Sequence, residues 1–315
     1  MDLRRTEAMM LTLHSIAHVT IEVGDLPRAL EFYSGLIGAP ASRVAAWPVK
    51  DETALLLPSG QFLVLKPSAN PRTLPESAVH QAYRAAPAAI DRILKSLSVG
   101  AAGVHRYHED RLAEQADNCY FADPDGNRIQ LIADAARSAP GIAAIDHAIV
   151  LASDMEWIEE FYCDLLGLVV EHRVGWNTGD YIRARAWGEG KEEMAPGTRR
   201  WDERYRDIPG AKPGQGRRLA RPNMQIFLHT GESILGIYLS PVHVQESPPR
   251  IAVGTPRIGF WTDRATLERA VAVLGKTRAT VAGPVHHVSG SPIGSSLYFR
   301  DPCGNFIELC VKETA

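Results

Sequence analysis

Two histidines stand at matching places in this chain. His18, in Ile16-Ala17-His18, and His147, in Ile145-Asp146-His147, are related by an offset of 129 residues. The same offset carries Asp25 to Asp154, Phe32-Tyr33 to Phe161-Tyr162 and Gly38 to Gly167. Imidazole is both a metal ligand and a proton carrier near neutral pH, so a histidine kept at one strand position in both copies marks a site. His18 alternates with Thr20 and Glu22 against Val19, Ile21 and Val23, which places it on the strand face turned away from the packed one. Near the far end of the chain, Glu308 falls with Phe306 and Cys310, opposite Ile307, Leu309 and Val311; Gln130 falls opposite Ile129 and Leu131. A carboxylate or amide on such a strand needs a partner if it is buried. A metal ion shared with histidines from neighbouring strands supplies one.

The elements that carry these residues repeat as well. Tyr120-Phe121-Ala122-Asp123-Pro124-Asp125-Gly126-Asn127 and Tyr298-Phe299-Arg300-Asp301-Pro302-Cys303-Gly304-Asn305 match at an offset of 178, so the second copy is longer by 49 residues. Repeats of this length mean duplicated structural units. Each begins with an alternating strand, then a helix capped by Asp25 or Asp154 and stopped by Gly38 or Gly167. Leu26, Ala29, Leu30, Tyr33, Leu36 and Ile37 give the first helix an apolar stripe. Weaker copies start near Val79-His80 and Arg257-Ile258, with helices around Ala88–Leu97 and Leu267–Leu274. The Asp-Pro-x-Gly-Asn stretches are turns, with Pro and Gly setting their geometry. The expected fold is α+β: four βαβββ modules paired into two similar halves with concave mixed sheets. The N-terminal half spans residues 12–134 and the C-terminal half 142–312, joined by a small, polar linker at Ala133–Ala144. The extra length lies at about 176–222, a loop rich in Arg, Gly and Pro whose kind often forms a lid or a subunit contact.

A net charge of −3 gives no electrostatic reason to expect nucleic acid or an anionic membrane as partner. No stretch approaches the ~20 apolar residues that span a bilayer. Cys119, Cys163, Cys303 and Cys310 make neither a CxxC pair nor a framework spacing and read as thiols of a reducing compartment. A cytoplasmic protein acting on a small molecule is expected, with assembly into a homo-oligomer left open.

These motifs resemble the vicinal oxygen chelate superfamily, which includes glyoxalase I, fosfomycin- and bleomycin-resistance proteins and extradiol ring-cleavage dioxygenases. The resemblance covers nearly the whole chain outside the 176–222 loop. Its strongest element, Tyr298-x-x-Asp301-Pro302-x-Gly304-x-x-x-Glu308, is similar to the closing half of the extradiol signature, in which the Glu binds iron and the Tyr lies beside the site. In that family the ligands come from the first strand of one module, the first strand of its partner and the partner's last strand. Carried over, this implies His18, His80 and Gln130 in the first half, and His147 and Glu308 in the second. The last module opens Arg257-Ile258-Gly259-Phe260-Trp261, without a histidine. Pairing of modules across the halves, with His18 or His80 meeting Glu308, stays open.

The resemblance implies a divalent-metal enzyme that chelates two adjacent substrate oxygens. Fe(II) is the first expectation, with Mn(II), Zn(II) or Ni(II) as alternatives. The leading reading is extradiol-type cleavage of a catechol-like aromatic, with His229, His287 and Tyr298 moving protons. Gln130 in place of a carboxylate favours a second reading, a redox-silent glyoxalase-like isomerase or lyase. A small-molecule binding protein without turnover is the third.

Overall fold

The computed structural model describes residues 11–38, 43–71, 79–97, 105–106, 119–152, 155–174, 225–239, 254–277 and 279–313. The 176–222 loop lies outside the described residues. None of the described helices is long and apolar enough to cross a membrane.

Four modules follow one another. The first has strand β1 (Ser15–Val23), helix α1 (Leu26–Ile37), β2 (Thr53–Leu56) and β3 (Phe62–Pro67). The second has β4 (Gln81–Ala85), α2 (Pro87–Ser96), β5 (His105–Arg106), β6 (Cys119–Ala122) and β7 (Arg128–Ala133). In the third, β8 (Ile142–Ala152) leads into α3 (Met155–Glu159), which continues as a π-helical turn over Glu160–Leu165. Then come β9 (Val169–Val174), β10 (Gln225–Thr230) and β11 (Ser233–Leu239). The fourth has β12 (Arg257–Thr262), α4 (Arg264–Leu274), β13 (Val281–His286), β14 (Ile293–Arg300) and β15 (Phe306–Lys312). In every module the first strand pairs in parallel with the last. The α+β class and the duplicated modules are those expected from the sequence.

The pairing of modules crosses the sequence halves. One sheet runs β13-β14-β15-β12-β1-β3-β2, joining the first and fourth modules; the other runs β5-β6-β7-β4-β8-β11-β10-β9, joining the second and third. At each centre two first strands meet antiparallel, β1 with β12 and β4 with β8. The linker has a part in this. β7 ends at Ala133 and β8 begins at Ile142, so the join is shorter than Ala133–Ala144. A chain that short brings β8 into the same sheet as β7, with only β4 between them. It runs close against α1: a Cβ on Gly141 would come within 2.0 Å of the Leu36 carbonyl oxygen.

Contacts at the strand ends bind each half internally. Tyr33 Oη donates to Asp123 at 2.9 Å, and Tyr162 Oη donates to Asp301 at the same distance. Asn127 Nδ2 donates to the Glu22 carbonyl, and Asn305 Nδ2 to that of Leu151. Burial raises the Asp301 carboxyl to about 6 against the opposing pull of its hydrogen bonds from Asn305 and Tyr162. The two Asp-Pro-x-Gly-Asn turns thus fasten each even module to the odd one before it. A single core joins the packed faces of both sheets and the helices, with Val19, Ile21, Tyr33, Ile129, Leu131, Val150, Ile307 and Leu309 among its members. The opposite faces form two separate cups.

Candidate metal centre

Both cups have the same construction. In the second–third-module sheet, Ala82 of β4 pairs with His147 of β8 on one side and with Gln130 of β7 on the other. In the first–fourth-module sheet, Gly259 of β12 pairs with His18 of β1 and with Glu308 of β15. Directly paired residues share a sheet face, so His147 and Gln130 open onto one cup and His18 and Glu308 onto the other. His80 stands six residues before the α2 cap, Ala86; Arg257 stands six before the α4 cap, Asp263. The corresponding sets are therefore His147, His80, Gln130 and His18, Arg257, Glu308.

In the first of these cups, His80 and His147 are buried and their Nε2 atoms lie 2.9 Å apart. Asp146 explains how His147 is aimed. The register of β8 against β4 skips Asp146, a β-bulge that leaves Ile145 facing the core and His147 facing the cup. His147 Nδ1–H donates to Asp146 at 2.7 Å, and Arg84 Nε holds the other carboxylate oxygen at 2.5 Å. Burial pushes the Asp146 carboxyl up, but the hydrogen bond and charge of His147 and those of Arg84 outweigh it and leave it below the ordinary range. With Nδ1 turned to Asp146, Nε2 is the His147 nitrogen that faces the cup and His80. Two nitrogens each ~2.1 Å from one ion, at right angles about it, lie about 3.0 Å apart. Gln130 Oε1 is buried without a hydrogen-bond partner among the described residues, a state that costs about 1–3 kcal/mol unless a ligand relieves it. This donor set fits a divalent ion. Around it stand Tyr120, edge-on to His80 at 5.5 Å between ring centres, and Tyr238 at 6.2 Å. Ile149, Leu151, Val79 and Phe227 complete an apolar wall with Tyr238.

The other cup holds its own cation. The fully buried Arg257 donates from Nε to Glu308 at 2.8 Å, from Nη2 to both Glu52 oxygens at 2.9 Å and from Nη1 to the Gly254 carbonyl at 3.1 Å. His18 Nε2 meets the same Glu308 oxygen at 3.0 Å, and Ser296 donates to the other at 2.6 Å. Burial opposes charge on Glu308, but His18 and then Arg257 hold its carboxyl far below the usual range. Donor atoms of His18, Glu308 and Cys310 lie within 4.8 Å of one another. The guanidinium nevertheless sits against the carboxylate such an ion would use. The β-bulge of β1 falls at Ala17, so His18 lacks the carboxylate that Asp146 gives His147 and has Thr20 Oγ1 on Nδ1 at 3.2 Å instead.

These positions correct the grouping expected from the sequence. His18 does not converge with His80 and Gln130; it meets Glu308 in the other cup. His147 does not share a cavity with Glu308; it meets His80. Tyr298 and His287 also belong to the Arg257 cup. The Arg257 guanidinium lies 5.6 Å from the Tyr298 ring centre, and His287 Nε2 is 2.8 Å from Ser296 Oγ. His229 shares the His147 face two strands away and is exposed, 3.9 Å from Glu171. Asp146, Glu52 and the part played by Arg257 were missed. Asp146 had a signal in its adjacency to His147, and Arg257 in its six-residue count to the helix cap.

The model of the Glyoxalase/Bleomycin resistance protein/Dioxygenase superfamily matches residues 15–131 and 144–309. The chain belongs to this superfamily. A catechol-2,3-dioxygenase of Bacillus subtilis (strain 168) is 26% identical over 201 residues, 50% of this chain and 67% of the relative. Among solved structures, a putative dioxygenase from Bacillus subtilis subsp. subtilis str. 168 superposes with a TM-score of 0.62 at 13% identity, covering 97% of this chain and 87% of that one. Glyoxalase I from Zea mays superposes with a TM-score of 0.52 at 14% identity, covering 94% and 92%. At such identities the structural likeness speaks for the superfamily fold.

Asp146→Asn offers a direct check on the aiming of His147. The amide can present its nitrogen to Nδ1 and so favours the wrong ring tautomer, and partners of this kind typically contribute 10–100-fold in metal affinity. A loss of about that size is expected by metal titration, with the fold retained.

Proposed function

We propose that this chain is a divalent-metal enzyme of the ring-cleaving dioxygenase type, with His80, His147 and Gln130 as the metal ligands. The carrying observation is the buried pair of Nε2 atoms 2.9 Å apart beside the unpartnered Gln130 Oε1. The arrangement follows the ligand pattern implied by the family resemblance: two first strands and one last strand. When bound, a divalent ion supplies Lewis acidity to two adjacent substrate oxygens and, as Fe(II), a route for electrons to O2.

The chain's own residues do the rest. Ile149, Leu151 and Phe227 exclude water and present a flat apolar wall suited to an aromatic ring. Tyr120, in the place that Tyr298 occupies in the other cup, lies beside His80 to orient or exchange a substrate hydroxyl proton. His229, at the exposed rim, passes protons to solvent. The 26%-identical catechol-2,3-dioxygenase supports a catechol-like substrate.

Gln130 supports a second reading. A neutral amide leaves the full charge on the ion, which suits Lewis-acid isomerase or lyase chemistry better than electron transfer. Oxygen uptake with catechols, using protein prepared anaerobically and loaded in turn with Fe(II), Mn(II), Zn(II) and Ni(II), separates the two. The dioxygenase reading expects O2 consumption and coloured ring-opened product with Fe(II). Turnover without O2, best with Zn(II) or Ni(II), replaces it with the second. Gln130→Glu is expected to tighten Fe(II) binding at least about tenfold, about 1.4 kcal/mol. It should also raise O2 consumption if the first reading holds.

A further inference from the structure

We infer that the cup formed by β1, β12 and β15 is a second metal-binding framework, closed by the Arg257 guanidinium, and that Arg257→His opens it. The inference concerns a different cup from the proposed catalytic one and stands without it. Position by position, His18 corresponds to His147, Glu308 to Gln130, Gly259 to Ala82 and Arg257 to His80. Of the three positions that match the proposed ligands, His18 and Glu308 still suit a metal site. Glu308 is a stronger ligand than Gln130 because it is charged, and Ser296 fixes its second oxygen at 2.6 Å.

The third, Arg257, carries the block. Arg257 Nε and His18 Nε2 converge on one Glu308 oxygen, at 2.8 and 3.0 Å. The guanidinium therefore fills the place where a cation would face that carboxylate. A divalent ion there would sit beside a buried positive charge with little water to screen it. Glu52 completes the plug: its carboxylate takes two hydrogen bonds from Arg257 Nη2 and one from Trp47 Nε1. Gly259 shows how closely the site has drawn in. A Cβ there would meet His18 Nε2 at 2.2 Å, so the imidazole lies directly over the glycine, whereas Ala82 carries a Cβ in the other cup. With histidine at position 257, the set becomes two imidazoles and one carboxylate from two first strands and one last strand. That combination leaves open positions for substrate.

Cobalt(II) is the probe, because its visible absorption reports coordination independently of any activity. All measurements use His80→Ala as background, which disables the other cup. His80→Ala alone is expected to bind no Co(II). Adding Arg257→His should give one saturable Co(II) per chain with new visible bands, and adding Glu308→Gln should abolish them. Glu52 is left without its cation by the Arg257 change, so a parallel version carries Glu52→Gln as well. Thermal melts with and without Co(II) confirm which versions are folded. Folded Arg257→His protein that takes up no Co(II), with or without Glu52→Gln, overturns the inference. Glu308-dependent Co(II) binding by His80→Ala alone overturns it equally, because Arg257 would then not exclude the ion.

Discussion

His80→Ala is expected to leave the chain folded and strip it of metal, while His18→Ala leaves metal content unchanged. His80 and His147 are the two imidazoles whose Nε2 atoms meet in one cup, and a catalytic ion held by three protein ligands rarely survives with two. Affinity should fall at least about 100-fold, equivalent to roughly 2.8 kcal/mol, and turnover should fall with it. The side chain is buried against Tyr120, Tyr238 and His147, so truncation also costs about 1–3 kcal/mol of stability. Metal analysis of anaerobically prepared protein, alongside a thermal melt, separates loss of the ion from loss of the fold. The contrast with His18 gives the experiment its power. His18 is also buried and lies against a ring, Trp47, at 5.5 Å, so each truncation removes a buried, ring-packed imidazole. If His18→Ala strips the ion and His80→Ala does not, the working site lies in the Arg257 cup and the proposed ligand set is wrong.

Much of this was legible in the sequence, and the failures have physical reasons. Strand phase was readable because period-two alternation reports which face is packed: Ile307, Leu309 and Val311 are in the core, and Glu308 is turned away from it. The Asp-Pro-x-Gly-Asn repeat located the turns, but not their further work of receiving Tyr33 and Tyr162. Module pairing was not readable in the same way. β1 and β8 carry nearly the same pattern, and either can meet another first strand antiparallel. The choice rests on tertiary features such as the short join between β7 and β8, which periodicity does not encode. Assigning His18 to His80 assumed that each sequence half closes its own sheet, and every error of grouping descends from that assumption. Arg257 shows a further limit. Its position could be counted from the helix cap, but its role depends on Glu52, 205 residues away in sequence. No local pattern announces such a pair.

Arg257→Met should be the most destabilising of these substitutions. The thioether chain fills much of the space but leaves Glu308 and Glu52 buried without their cation, and breaking a buried ion pair from one side typically costs about 3–5 kcal/mol. The pH dependence identifies the cause. In the native chain the Glu308 carboxyl is held well below its ordinary value. Its contribution is therefore complete above the unfolded value of about 4.3 and is lost only as pH falls from there through the lower folded value. Without Arg257, burial remains and one of the two positive groups beside Glu308 is gone, so the Glu308 carboxylate resists ionising. The penalty is then largest where Glu308 is forced to ionise and shrinks as it takes up a proton. The stability gap between native and variant chains, from urea unfolding followed by tryptophan fluorescence, should narrow between about pH 8 and about pH 4.5. Trp47 and Trp261 border the affected cup and report its opening. Arg257→Lys should fall between the two, since an ammonium keeps the charge but cannot bridge both carboxylates with the planar fork of a guanidinium. A gap of constant size across that range would mean that the cup needs the bulk of Arg257 and not its charge.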